Sequence, residues 1–497
     1  MLSKKDSAVS LPPKEPPTLT LLSTEELLRS YLVYSLCSFP TLVDASPALL
    51  QWAWTTSIPG VKWLATAVIR ATFFQQFCGG ETLEELRGTL DRLASRRVGA
   101  LIVYSVEAEP SEGGHSGAPE AGAAHLHTDL VEEVYRSVDF ATSLSQAGTH
   151  SPAVALKVSG LLKDPAALRR VSDAIVANRL FTDQSHNAVT ALDGALSEKT
   201  LNVSSHDAFA MYELLEAMRK IGHRAKEGRT KVVIDAEWTA IQPAIDLLSL
   251  ELSREFNHID SPSAPPTFYI TLQTSLRRSE PFLRAMLADA HARNYSLGVK
   301  VVRGAYVTAE HKAANVGGFT SPAWSTKLET DQCFDTCSRL LVDALAAQVQ
   351  GTGAAEVGAI FATHNRSSVS LIFDLLRDQG LAHPQPRADE SSHTTLVLRS
   401  SACNLVSFAQ LAGMADDVTD KLANHLIAEE GSPTTLKYLP YGSFDKVMPY
   451  LVRRAQENKS IMSGEGEGGG GAAEEKKRIR RELRRRVASW WDGQPSV

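Results

Sequence analysis

KVVIDAE, residues 231–237, is an unbroken apolar run that ends in two acids. A strand with one wet face alternates polar and apolar side chains. A strand covered on both faces reads instead as continuous Val, Ile and Leu. Seven more stretches have this character: GALIVYSVE (99–107), AVALKVS (153–159), TFYITLQ (267–273), GVKVVRG (298–304), VGAIFATH (357–364), NLVSFAQL (404–411) and LKYLPYG (436–442). Amphipathic segments such as DLVEEVYRSVDFATSLSQ, DAFAMYELLEAMRKIGHRA and CSRLLVDALAAQV lie between them. Eight buried strands, each followed by a helix, are what a (β/α)8 TIM-type barrel requires. An open doubly wound sheet has the same local pattern and is the alternative. TTLVLRS (394–400) is a ninth candidate strand, read as an insertion before strand seven. EPSEGGHSGAPEAGAA and the stretch from about 182 to 205 are read as further insertions.

Around the barrel, predicted over 98–460, the chain changes character. Residues 1–22 form a Pro-rich leader predicted to be disordered, without the Arg-rich, acid-free pattern of an import signal. Residues 23–97 read as a helical arm. STEELLRSYLVYSL opens it with a Ser/Thr cap and acids in the first turn. Residues 461–475 are a Gly-rich linker whose formal GxGxxG (Gly464, Gly466, Gly469) follows no strand, so it is no nucleotide fingerprint. In the tail, 476–497, Ile479, Leu483, Val487 and Trp490 share one helical face among basic residues. That pattern suits a membrane-surface helix over 476–491 or a solvated tail.

The totals narrow the function. A net charge of −6 gives no global basic field, so nucleic acid is not an expected partner. Five scattered cysteines make no disulfide framework. Cys333 and Cys337 share a helix face with no further ligand in reach, and no metal site is expected.

Barrel chemistry gathers at the C-terminal ends of the strands. There the sequence places Lys157, Asp235, Glu237, Gln273, Lys300, Arg303, Gly304, Tyr306, Thr363, His364 and Tyr438. After the last strand, Tyr450, Arg453, Arg454 and Glu457 fall on one stripe of a helix. Two arginines can grip one carboxylate by bidentate bonds, and tyrosine faces can cover an apolar body. A zwitterionic amino acid with an aliphatic ring fits this set better than a phosphate does.

LKVSGL, VVIDAEWTAIQPAID, KVVRGAY, FATHN, FAQLAGMADDV and YLPYG…MPYLVRRAQEN, in that order, resemble the proline dehydrogenase family in its eukaryotic mitochondrial form. FFQQFCGGETLEEL before the first strand does too. The resemblance runs from about residue 20 to 460. It implies FAD at the barrel mouth, with oxidation of L-proline to Δ1-pyrroline-5-carboxylate and electrons passed to a membrane quinone. By position, Arg453 and Arg454 would clamp the proline carboxylate, with Lys157 as a further ionic contact. Asp235 and Glu457 would hold the arginines, and Tyr306, Tyr438 and Tyr450 would enclose the ring. The positions matching the family's FAD contacts are Ala236, Gln273, Lys300, Arg303, Gly304, Ala305, Thr363 and His364. A matrix location at the mitochondrial inner membrane rests on the same resemblance. The sequence departs from the family at Val103, where an Asp usually precedes the Tyr-Ser pair, and at Lys300, where bacterial members carry Arg.

Three other readings stay open. Hydroxyproline is a rival substrate, disfavoured because Tyr438 would crowd a 4-hydroxyl. A flavin-free lyase using Lys157 as a Schiff base would leave the FAD-position matches unexplained. A non-catalytic scaffold would have no use for buried charge.

Overall fold

The computed structural model describes residues 19, 22–39, 41, 45, 48, 49, 52, 55–105, 125–146, 152–178, 202–258, 264–351, 356–386, 394–462 and 472–491. Side chains are described to residue 455 and again from 475. Most of the predicted leader, both predicted insertions up to residue 201 and the core of the linker lie outside the described residues.

Eleven strands are described: β1 (Val98–Tyr104), β2 (Ala153–Leu156), β3 (Val232–Ile234), β4 (Phe268–Gln273), β5 (Leu297–Val302), β6 (Val357–Ala362), β7 (Ala382–Pro386), β8 (Thr394–Leu398), β9 (Val406–Leu411), β10 (Leu426–Ala428) and β11 (Thr435–Tyr441). Eight close an all-parallel barrel in the order β1-β11-β9-β6-β5-β4-β3-β2. These are the eight runs predicted from sequence, and closure excludes the open sheet. The ninth candidate, β8, pairs antiparallel with β7 and parallel with β10 in a small sheet outside the barrel.

Two apolar layers explain the continuous runs. Inside the barrel, Leu101, Val103, Ala153, Ala155, Val233, Tyr269, Ile360, Ala409 and Leu436 pack together. Outside it, the opposite faces of the strands meet the helices in one large cluster. The phenol of Tyr269 needs space across the barrel axis. Gly298 and Gly358 supply it, since a Cβ on either would lie within 3 Å of Tyr269. Val103 belongs to this interior layer, with Tyr438 packed against it. Cys333 and Cys337 are buried on the helix Lys327–Val349.

The arm contains the helix Thr24–Cys37, opened by a capping box between Ser23 and Glu26. It continues through Val61–Ile69, a π-helical turn Arg70–Phe74, and Leu83–Ala94. Among the described residues no helix is long and apolar enough to cross a membrane. The tail helix runs Ala472–Trp491, starting inside the stretch read as linker. It lies on the arm: Ile479 is buried with Leu19, Leu22, Leu27 and Tyr34, and Leu483 packs beside them. Leu19 and Leu22, read as leader, are therefore part of the packed structure. The far end of the tail's apolar face stays open, with Val487 56% and Trp490 75% exposed.

Candidate active site

Asp235 directly follows β3 and is buried at the barrel mouth. Its Oδ1 accepts from the ammonium of Lys300, an inward side chain of β5 that is itself buried. Its Oδ2 accepts from the Tyr438 hydroxyl at 2.7 Å. Lys300 Nζ also lies 5.5 Å from the centroid of the Tyr438 ring. Three strands are thus tied at one carboxylate through a lysine and a tyrosine.

The arginines lie on the helix Phe444–Met462, which follows β11. Arg454 is buried and its guanidinium lies 4.9 Å from the Tyr450 ring centroid. Arg453 lies 5.9 Å from the ring of Tyr306, which caps the helix after β5. Each guanidinium thus faces one of the tyrosines assigned to the pocket, at distances where cation–π attraction operates. The side chain of Glu457 lies outside the described residues.

Lys157, just past β2, faces Glu237. Burial holds the Glu237 carboxyl above the usual carboxylate range, although Lys157 pulls it the other way. The carboxylate also accepts from the Ser159 N–H at 3.0 Å and the Ser159 hydroxyl at 2.5 Å. Gln273 donates to the Glu237 carbonyl at 2.6 Å. Glu237 was visible in the sequence, but nothing there separated its role from that of Asp235.

The other side of the mouth is built around Arg303. Its guanidinium donates to Asp331 at 2.6 Å, Thr363 at 2.6 Å and Ser368 at 2.9 Å, and stacks 4.3 Å from the Phe334 centroid. Among the described residues these bonds use three of its five N–H donors. The next residue, Gly304, has φ +128°, and a Cβ there would collide with the Ser275 hydroxyl. His364 accepts the Leu411 N–H on Nε2 at 3.1 Å. Burial, then Lys437, Arg454 and Arg303, push its pKa down to about 3. The ring is therefore neutral, with its proton on Nδ1. Ala236 is half-buried and Ala305 exposed at the rim. Asp331 and Ser368 lie beyond the strand ends, where no motif drew notice.

The family model described as proline dehydrogenase matches residues 89–465. The chain belongs to the proline dehydrogenase family. Hydroxyproline dehydrogenase of Bos taurus is 28% identical over 452 residues, covering 89% of this chain and 88% of that protein. Proline dehydrogenase 2, mitochondrial, of Arabidopsis thaliana is 26% identical over 478 residues, covering 93% and 88%. Among solved structures, proline utilization A of Bdellovibrio bacteriovorus, inactivated by N-propargylglycine, superposes with a TM-score of 0.61 at 16% identity. The match covers 92% of this chain but only 43% of that one, and at this identity it speaks for the barrel fold alone. Membership makes the chain an oxidoreductase of this family, whose named relatives include enzymes for both proline and hydroxyproline.

Proposed function

We propose that the chain oxidises L-proline to Δ1-pyrroline-5-carboxylate with FAD as its cofactor and a membrane quinone as the final acceptor. The observation that carries this reading is the paired stacking of Arg453 on Tyr306 and Arg454 on Tyr450, beside the Asp235–Lys300–Tyr438 knot. Two fixed forks suit a carboxylate, and the tyrosine faces suit a saturated ring.

The residues on the Arg303 side fit FAD. Arg303 is held by three acceptors and, among the described residues, has two further donors for a phosphate or ring oxygen. His364 keeps an Nδ1 proton to donate. At Gly304 the positive φ and the missing Cβ let the backbone turn closely past the Ser275 hydroxyl at the edge of this side. Gln273, Lys300, Thr363, Ala236 and Ala305 complete the surround. Bound there, FAD would supply the acceptor for a hydride from C5 of proline. The protein's part is to hold that carbon in place and to keep water away. Arg453 and Arg454 clamp the carboxylate, with Lys157 as a further cation, and Asp235 fixes Tyr438 against the ring. The amine gives up its proton to solvent on entry and reacts as the neutral base, so no dedicated general base is required.

Relatives named for hydroxyproline favour a second reading, in which that amino acid is the substrate. Tyr438 argues for proline, because its bond to Asp235 prevents the ring from swinging aside for a 4-hydroxyl. The names of relatives in Arabidopsis and Dictyostelium support a mitochondrial location. Arg454→Lys tests the clamp. It should raise the KM for L-proline by about tenfold, the value of one lost charge-assisted bond, with FAD content unchanged. Loss of FAD in that variant would make Arg454 structural and remove the support for the reading.

A further inference from the structure

The helix Phe444–Met462 leaves its first amide groups without intrahelical acceptors, as every helix does. The acceptor for Phe444 N–H comes from Glu81 of the arm, 363 residues earlier, whose Oε2 lies 3.1 Å away. Its Oε1 pairs with Arg70, and the Arg70 guanidinium stacks 4.8 Å from the centroid of the Phe444 ring. One carboxylate and one arginine of the arm therefore grip both the backbone and the side chain of the first residue of the arginine-bearing helix. We propose that Glu81, with Arg70, is a positioning residue that sets the placement of Arg453 and Arg454 over the barrel mouth. The inference rests on the substrate reading above.

Two further sets of contacts bed this helix and the strand before it on the arm, and a third holds Glu81 itself. The segment before Glu81 runs beside the end of β11: Gly79 N–H donates to the Pro440 carbonyl at 2.8 Å, and Gly442 N–H donates to Gly80 at 3.2 Å. One apolar cluster joins Val33, Cys37, Phe74 and Phe77 of the arm to Phe444, Val447, Tyr450 and Leu451 of the helix. The Glu81 backbone is itself held, its N–H donating to Glu85 at 2.8 Å. A negative group at a helix N-terminus also meets the positive end of the dipole.

Leverage explains why a grip at Phe444 matters at Arg453. Nine residues at 1.5 Å each separate them by roughly 13 Å, and Pro449 between them removes one backbone bond. A tilt of about 5° in the first turn moves the guanidiniums by about 1 Å. Misplacement of that size costs on the order of 100-fold in rate when it falls on reacting groups. Falling on the substrate clamp, it weakens binding first.

The test compares Glu81→Ala, Glu81→Gln and Arg70→Met in the full FAD-loaded chain. KM and kcat are measured with L-proline and with trans-4-hydroxy-L-proline, which share the clamped carboxylate. Glu81→Ala is expected to raise KM by about tenfold, the value of one helix cap of ordinary strength, with kcat changed less than about threefold and FAD content unchanged. Glu81→Gln keeps an acceptor for Phe444 N–H and should recover most of the loss. A KM in Glu81→Ala within about twofold of the parent overturns the proposal. Should Glu81→Ala not fold, Arg70→Met decides: a KM raised about threefold supports the grip, and an unchanged KM overturns it. Neither substrate reducing the parent's flavin would overturn the functional reading instead. Amide exchange across 444–455 then judges the grip, which fails if exchange in Glu81→Ala matches the parent.

Discussion

Asp235→Asn isolates the carboxylate that ties β3, β5 and β11 together. The substituted amide keeps acceptor capacity but loses the charge opposite Lys300. That ammonium is buried, and its protein anion is Asp235. Removing one partner of a buried pair costs about 3–5 kcal/mol, because the remaining charge stays desolvated. The Tyr438 hydroxyl also exchanges an ionised acceptor for a neutral one, which roughly halves that bond. We expect urea unfolding, followed by tryptophan fluorescence, to show a loss in the range of about 3–5 kcal/mol. Adding Lys300→Met should return most of it, since an apolar replacement for a whole buried pair is close to neutral. Activity should not return with stability, because the bond that holds Tyr438 stays weakened and Lys300 is gone. A loss below about 1 kcal/mol, the scale of an exposed pair, would refute the reasoning. So would a double variant less stable than Asp235→Asn alone.

Tyr438→Ala should raise the ratio of kcat/KM for trans-4-hydroxy-L-proline over L-proline by about tenfold, the value of relieving one steric contact. An unchanged ratio would remove Tyr438 as the selector. His364 is neutral in the fold with its pKa lowered to about 3, from 6.5. Its contribution is fully present above pH 6.5 and is lost as pH falls toward 3, because the unfolded chain binds the proton first. Acid unfolding should therefore shift to lower pH in His364→Asn. Glu475 of the tail helix is pushed up to about 8 by burial and by Asp417 and Asp416, against Tyr34 and Lys437, while its Oε1 accepts the Ala415 N–H at 2.7 Å. A raised carboxyl favours docking at low pH, and that contribution fades as pH rises through 8. Tryptic cleavage of the arginine-rich tail, corrected for the protease's own pH profile, should accelerate as pH rises from about 5 to about 8, level off above that, and lose this dependence in Glu475→Gln.

The barrel was legible because each of its strands is covered on both faces, which leaves a continuous apolar run that ends abruptly in Lys157, Asp235, Arg303 or His364. β7 and β10 escaped notice for local reasons: AHPQP carries two prolines, and Leu426–Ala428 is only three residues long. The tail helix was legible as amphipathic, but not its partner. Ile479 is covered by leucines more than 450 residues away, a pairing that periodicity does not encode. The cationic and acidic members of the site were visible as types. Their pairing was not, since Asp235 meets Lys300 and Tyr438 only when three strands close side by side. Nothing in the sequence singles out Glu81, because its contact with Phe444 depends on how the arm returns to β11.

The measurement closest to the central claim is the visible spectrum of the FAD-reconstituted chain before and after anaerobic L-proline. The account predicts a bound flavin that bleaches with L-proline, more readily than with trans-4-hydroxy-L-proline. A chain that binds no FAD, or a bound flavin that neither amino acid reduces, would contradict it.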